Sequence, residues 1–309
     1  MNEYRIETVD KEKLNLYWDT AIGLQKVDNL EPSQYLLELS QKNINGEINH
    51  KEIETLLYKK YEKETPEEIA LRKKESDIVT NRMTELLGMN GKVMLTPEYL
   101  KGIHRFLFQG IYEHAGKFRE CNIYKNEGVL NGDTVKYANY FMLEDTLRYD
   151  LTEEKNKRYT LFSKSEIIEN ITSFTSRIWQ VHPFMEGNTR TTALFIEQYL
   201  NQLGFSVDNT LFKEKAMFFR NALVRANYAD YSKGINEEDK FLKMFFVNLL
   251  YKGEYKLQSR DLVIYNQEKI SVLNKLHANQ EIIKEQRRDS QLVYRKTYQK
   301  GEVNATVKR

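Results

Sequence analysis

The sequence predicts a mainly α-helical protein with a single β-hairpin. Three observations carry that expectation. Apolar residues recur at helical spacing along most of the chain, as in Ile167, Ile168, Ile171, Phe174, Ile178 and Trp179. Helix starts with a capping residue punctuate it at Thr65-Pro66-Glu67-Glu68, Thr96-Pro97-Glu98 and Ser163-Lys164-Ser165-Glu166. Only between Asn122 and Tyr140 does the pattern change: there Ile123, Val129, Leu130, Thr134, Val135 and Tyr137 flank Asn131-Gly132, a strong hairpin dipeptide.

Taken in order, residues 1–64 read as a helical layer with stripes at Leu14 to Leu24, Tyr35 to Leu39 and Ile53 to Tyr61, and Asn45-Gly46 marks a turn between helices. The helix from Thr65 runs to Gly88, and the next buries Leu100, Ile103, Phe106 and Leu107. His104 and His114 read as structural residues. After the hairpin, one helix delivers His182, and another, with Ala193, Leu194, Ile196, Tyr199, Leu200 and Leu203, runs until Gly204 stops it. Phe218 to Ala226 and Phe241 to Leu250 form two more, and Gly253 ends the compact part. The expected organisation is therefore 1–64, 65–252 and a charged tail from 253 to 309. From Lys284 onward eight basic residues face three acidic ones, a net +5, which suits a solvated and partly disordered segment.

Composition narrows the class. The 309 residues are 40% hydrophobic and 30% charged, as in a soluble globular protein of one large or two small domains. A net charge of +2 gives no basic field, which argues against nucleic acid as the main partner. Cys121 is the only cysteine, so an internal disulfide and a cysteine-built zinc site are excluded. No run of about 18 apolar residues suggests a membrane span, and the polar start shows no signal-peptide pattern. The expected compartment is the cytoplasm.

The chemistry concentrates in His182-Pro183-Phe184-Met185-Glu186-Gly187-Asn188-Thr189-Arg190. Pro183 cannot extend the preceding helix, and Gly187 with Asn188 favours a tight turn. The next helix then opens into the loop with unpaired N–H groups and a positive dipole end, an anion site to which Arg190 adds a planar fork. Glu186 is the hard oxygen ligand that Mg²⁺ shares with nucleotide phosphates, and His182 has the right basicity to take a proton from a hydroxyl. Zinc bound by His182 and Glu186 is an alternative, opposed by the helix-breaking Pro183 and by the lack of further His or Cys nearby.

This stretch resembles the signature of Fic-domain proteins, His-x-Phe-x-(Asp/Glu)-Gly-Asn-Gly-Arg-x-x-Arg. The resemblance implies a helical bundle with a hairpin flap beside the active-site loop, and transfer of AMP from Mg·ATP to a hydroxyl of a target protein. By position, His182 would be the general base, Glu186 the metal ligand, Asn188 and Arg190 phosphate ligands, Gly187 and Thr189 backbone of the anion hole, and Phe184 a core anchor. Thr189 replaces a glycine. Ala193 replaces the second arginine, which leaves open another nucleotide or phosphate compound as donor, or a weak regulatory module. Gly110 to Arg119 resembles the Fic segment ending in Ala-Gly-x-x-Arg, and Arg220 to Tyr228 the helix bordering the nucleobase, which would place Asn227 and Tyr228 there. The hairpin, with Ile123, Tyr124, Lys125 and Val135, would pair with an extended piece of the target.

Residues from Leu30-Glu31-Pro32-Ser33 to Ile48 further resemble the antitoxin module of bacterial Fic toxins. Its inhibitory stretch, (Ser/Thr)-x-x-x-Glu-(Gly/Asn), falls on Leu24 to Asn29, with Asp28 and Asn29 at its end. A plain covering layer is the alternative. A homo-oligomer stays open, and the basic tail is compatible with a secretion signal of an effector.

Overall fold

α7 (Lys164–Val181) and α8 (Asn188–Gln202) meet at the motif loop, and α8 is enclosed: every residue from Asn188 to Glu197 is buried. Its apolar residues, Ala193 to Ile196, Tyr199 and Leu200, lie on several faces, so other helices must surround it. Those others, in this computed structural model, are α4 (Glu68–Gly88), α5 (Pro97–Phe108) and α7. The structure describes residues 10–62, 68–89, 91–207 and 209–264. Contacts divide the chain into Met1–Leu262 and Val263–Arg309. From residue 265 onward the expected charged tail lies outside the described residues, as does the Thr65-Pro66-Glu67 helix start.

The described residues are mainly helical, as the spacing predicts. α1 (Lys11–Gln25), α2 (Gln34–Ile44) and α3 (His50–Tyr61) form the N-terminal layer, followed after α5 by α6 (Leu143–Lys155), and after α8 by α9 (Thr210–Ala226) and α10 (Lys240–Tyr251). Local chemistry sets the starts. Ser163 accepts from Glu166 N–H while the Glu166 carboxylate returns to Ser163 N–H, a reciprocal cap worth about 1 kcal/mol. At the far end of α10 it is Lys252, not Gly253, that takes the left-handed residue (φ 52°).

The N-terminal layer shares its core with the rest. Trp18, Leu36, Leu39, Ile53 and Leu57 cluster with Ile78 of α4. α1 also crosses α9 at Gly23, where a Cβ would come within 2.4 Å of Lys213 Cα, so only glycine allows that approach.

The expected β-hairpin is not formed. Among the described residues no strand occurs, and residues 122–140 run as an irregular flap with a 3₁₀ turn at Gly128–Leu130. Asn131 and Gly132 do take positive φ (58° and 95°), as the hairpin dipeptide requires. What fails is the ladder on either side of it. Lys125 N–H goes to the Thr134 hydroxyl, and the carbonyls of Cys121, Lys136 and Ala138 are taken by the side chains of Arg119 and Gln180. With backbone groups satisfied by side chains, nothing drives strand pairing.

Candidate active site

α7 ends on His182, whose backbone is left-handed (φ 49°, ψ 57°) and whose N–H returns to the Trp179 carbonyl. The same carbonyl accepts from imidazole Nδ1 at 3.2 Å. That bond places the ring proton on Nδ1 and leaves Nε2 as the lone-pair nitrogen. Nε2 is buried and has no hydrogen-bond partner. The ring is held against Tyr137 of the flap (4.2 Å between centroids) and edge-on to Trp179 (5.1 Å). Burial, then the nearby Lys125 charge, holds the imidazole well below its ordinary pKa of 6.5.

The loop after His182 is pinned at several points. Phe184 is buried and stacks on His104 at 3.8 Å. His104 donates from Nε2 to the Glu186 carbonyl, accepts the Gly116 N–H on Nδ1, and is pushed by burial down to about 3, so it stays a neutral structural ring. Asn188 accepts Phe184 N–H and donates to Phe184 C=O, closing the turn on itself. Its side chain is a loop staple, and both of its ends are engaged. Gly187 has φ +76°, and a Cβ there would meet the Phe108 ring at 2.4 Å. Gly187→Ala combines left-handed strain with a clash and should cost about 2–4 kcal/mol, read as a lowered midpoint in denaturant unfolding.

Thr189, where the Fic signature has glycine, lies inside α8 and accepts the Trp179 indole N–H at 3.0 Å. The hydroxyl therefore steadies the residue whose carbonyl orients His182. Arg119 does comparable work from the other side: Nε donates to His182 C=O at 2.9 Å, Nη1 to Cys121 C=O, and Nη2 to Ala138 C=O. One buried guanidinium thus ties His182 to the flap. The sequence signals for Arg119 and Thr189 were the Ala-Gly-x-x-Arg segment and the departure from glycine, but neither announces these contacts.

Glu186 is half exposed and pairs with Lys125 of the flap at 3.2 Å. Arg190 is turned elsewhere. It is fully enclosed, with Nη1 on Gln25 Oε1 at 2.9 Å and Nη2 on Glu75 Oε1 at 2.7 Å. Asp28 Oδ2 lies 2.7 Å from its Nε as an ion pair, off the N–H axis. Burial pulls the guanidinium's pKa down, but Asp28 and Glu75 overcome that and raise it. Asp28 ends the 3₁₀ turn Lys26–Asp28, and Asn29 follows with φ 55°. The resemblance pairs the inhibitory acid with the arginine position held here by Ala193; in this chain Asp28 meets the first arginine instead. Glu75 gave no sequence signal, being one polar residue in a helix.

Asn227 and Tyr228 border a cavity of about 510 Å³ with Gln180, Thr134 and Lys136. Asn227 donates to the Leu223 carbonyl, and Tyr228 donates to Asp133 at 2.7 Å, fastening the end of α9 to the flap. Of the four flap residues expected to dock a target, Tyr124 is exposed, Val135 is buried, and Ile123 and Lys125 are half-buried. No described helix is long and apolar enough to cross a membrane, and no described group of three or more His, Cys, Asp or Glu could hold a metal.

A buried lone-pair imidazole at the end of α7 and the N-terminus of the enclosed α8 are thus joined by a pinned turn in one helix–loop–helix site. Residues 94–200 match the Fic/DOC family, and the chain carries a Fic domain there. It is 29% identical over 192 residues to the protein adenylyltransferase VbhT of Bartonella schoenbuchensis, covering 54% of this chain and 38% of that protein. Identity is 26% over 132 residues to the probable protein adenylyltransferase y4lH of Sinorhizobium fredii, covering 43% and 65%. With the probable protein adenylyltransferase Fic of Escherichia coli it is 30% over 113 residues, covering 35% and 52%. The chain thus spans between 38% and 65% of the length of these relatives.

Proposed function

We propose that the protein transfers AMP from ATP to a hydroxyl side chain of a target protein. The observation that carries this reading is the unpartnered Nε2 of His182, fixed as acceptor by the Nδ1 bond to Trp179. Nε2 takes the hydroxyl proton, the freed oxygen forms the bond to the α-phosphorus, and the α–β anhydride bond breaks to release pyrophosphate. The free N–H groups at the start of α8 hold the phosphate charge, and Asn227 and Tyr228 border the space for the nucleoside. Arg190 reaches phosphate only after leaving Asp28, Gln25 and Glu75.

Mg²⁺ fits the site in one limited way. Glu186 is a lone, accessible carboxylate, as expected for an ion that completes its shell with water and substrate phosphates. Bound there, the ion would neutralise charge on the leaving pyrophosphate, and Lys125 would have to release Glu186.

The N-terminal segment is proposed as a restraint on this site, because Gln25 and Asp28 hold Arg190. A second reading, a donor other than ATP, is favoured by one observation: Ala193 offers no charge, and the remaining motif arginine is already engaged.

Labelling separates these readings. ATP labelled at the α-phosphate should mark a target while γ-labelled ATP does not; the reverse result would make the protein a kinase, and label from another nucleotide alone would favour the second reading. The pH profile adds a check on the base. Because the His182 imidazole is held below its ordinary value, the neutral form persists on acidification, and labelling should stay level as the pH falls through 6.5. An acid limb at or above 6.5 would point to a different base.

A further inference from the structure

Away from the motif loop, α1 and the C-terminal half of α8 border a cavity of about 530 Å³. Leu16, Tyr17, Leu87 and Met89 give it an apolar wall. Its polar floor is made by Glu197 and Asn209, only 3% and 4% exposed. The floor is short of donors. Asn201 Nδ2 (2.7 Å) and Asn209 Nδ2 (3.1 Å) both donate to Glu197 Oε1, so the other carboxylate oxygen receives neither amide. Asn209 Oδ1 is buried with no donor at all. The neighbouring glutamines are engaged elsewhere: Gln202 bonds the Val93 backbone and Gln198 donates to the Leu86 carbonyl.

A ligand with N–H groups and a positive charge at one end and hydrocarbon at the other would match this lining. We propose that the cavity is a binding site for a small organic ammonium, held by the Glu197 carboxylate and Asn209 Oδ1 with its apolar body against α1. Burial raises the Glu197 carboxyl above its ordinary range, opposed by the Asn209 and Asn201 amides and by Lys13, and a bound cation would oppose the rise further. Lys13 lies exposed on the rim, so a ligand carrying a carboxylate as well as an ammonium has a partner there.

The test is calorimetric titration of the full chain with 3-methylbutylamine, L-leucine and isovalerate, which share one hydrocarbon body. Saturable binding of the amine or of leucine, without isovalerate, supports the site; the amine alone identifies a simple ammonium, and leucine alone a zwitterion that also uses Lys13. Glu197→Gln should weaken binding about tenfold or more. Leu16→Trp fills the cavity from a half-buried position and should abolish binding while helical circular dichroism is kept. The proposal is overturned if neither ammonium binds below about 10 mM, if isovalerate binds equally, or if Leu16→Trp binds unchanged.

Discussion

Replacing His182 with alanine should lower target labelling by about two to four orders of magnitude, the usual contribution of a positioned general base. The expectation is sharp because the imidazole is specialised by its surroundings. Its Nδ1 proton is committed to Trp179 C=O, its Nε2 has no protein donor, and burial keeps it neutral. Alanine removes the lone pair but leaves the start of α8, the Asn188 staple and the Arg119 ties in place. Circular dichroism should show the helices retained. Labelling that persists within tenfold of the parent would remove His182 from the reaction, and with it the reading of this loop as a catalytic one.

The second large effect is on stability. Arg190→Ala strips the cation from a site where Asp28 and Glu75 are both held at 2.7 Å, and Glu75 is only 6% exposed. Removing one partner of a buried ion pair typically costs about 3–5 kcal/mol, because the remaining charge is left unpaired in a poorly hydrated place. Urea unfolding should show that loss; a change under about 1 kcal/mol would mean the cluster is better hydrated than its burial implies. Asp28→Ala is the informative partner. It removes one carboxylate of the ion-pair cluster while Glu75 and Gln25 still hold Arg190, so the fold should survive. If the N-terminal segment restrains the site, labelling should rise several-fold. Unchanged labelling would reduce the segment to packing.

Helices were legible because their causes are local. Ile167, Ile171, Phe174 and Ile178 mark the buried face of α7, Ser163 and Glu166 its start, and Thr96-Pro97 the start of α5. The motif loop was legible too, since Pro183 and Gly187 restrict the backbone there. The flap was not. Asn131-Gly132 reports a turn, and the turn exists, but whether its flanks pair depends on Arg119 and Gln180, which approach from other elements. Arg190 shows the same limit. Its residue type suits phosphate, yet its direction is set by Gln25, Asp28 and Glu75, the last 115 positions away in the chain. Sequence spacing says nothing about who meets across such separations.

His182 occupies the place at the end of α7 where helices commonly carry glycine, with a left-handed backbone that a β-carbon makes costly, by about 1–2 kcal/mol. With His182 as the proposed base, selection for robustness and selection for turnover pull this position in opposite directions. A screen for heat-resistant variants should be drawn toward glycine or asparagine here and would harvest inert protein, so such a search needs the histidine held constant.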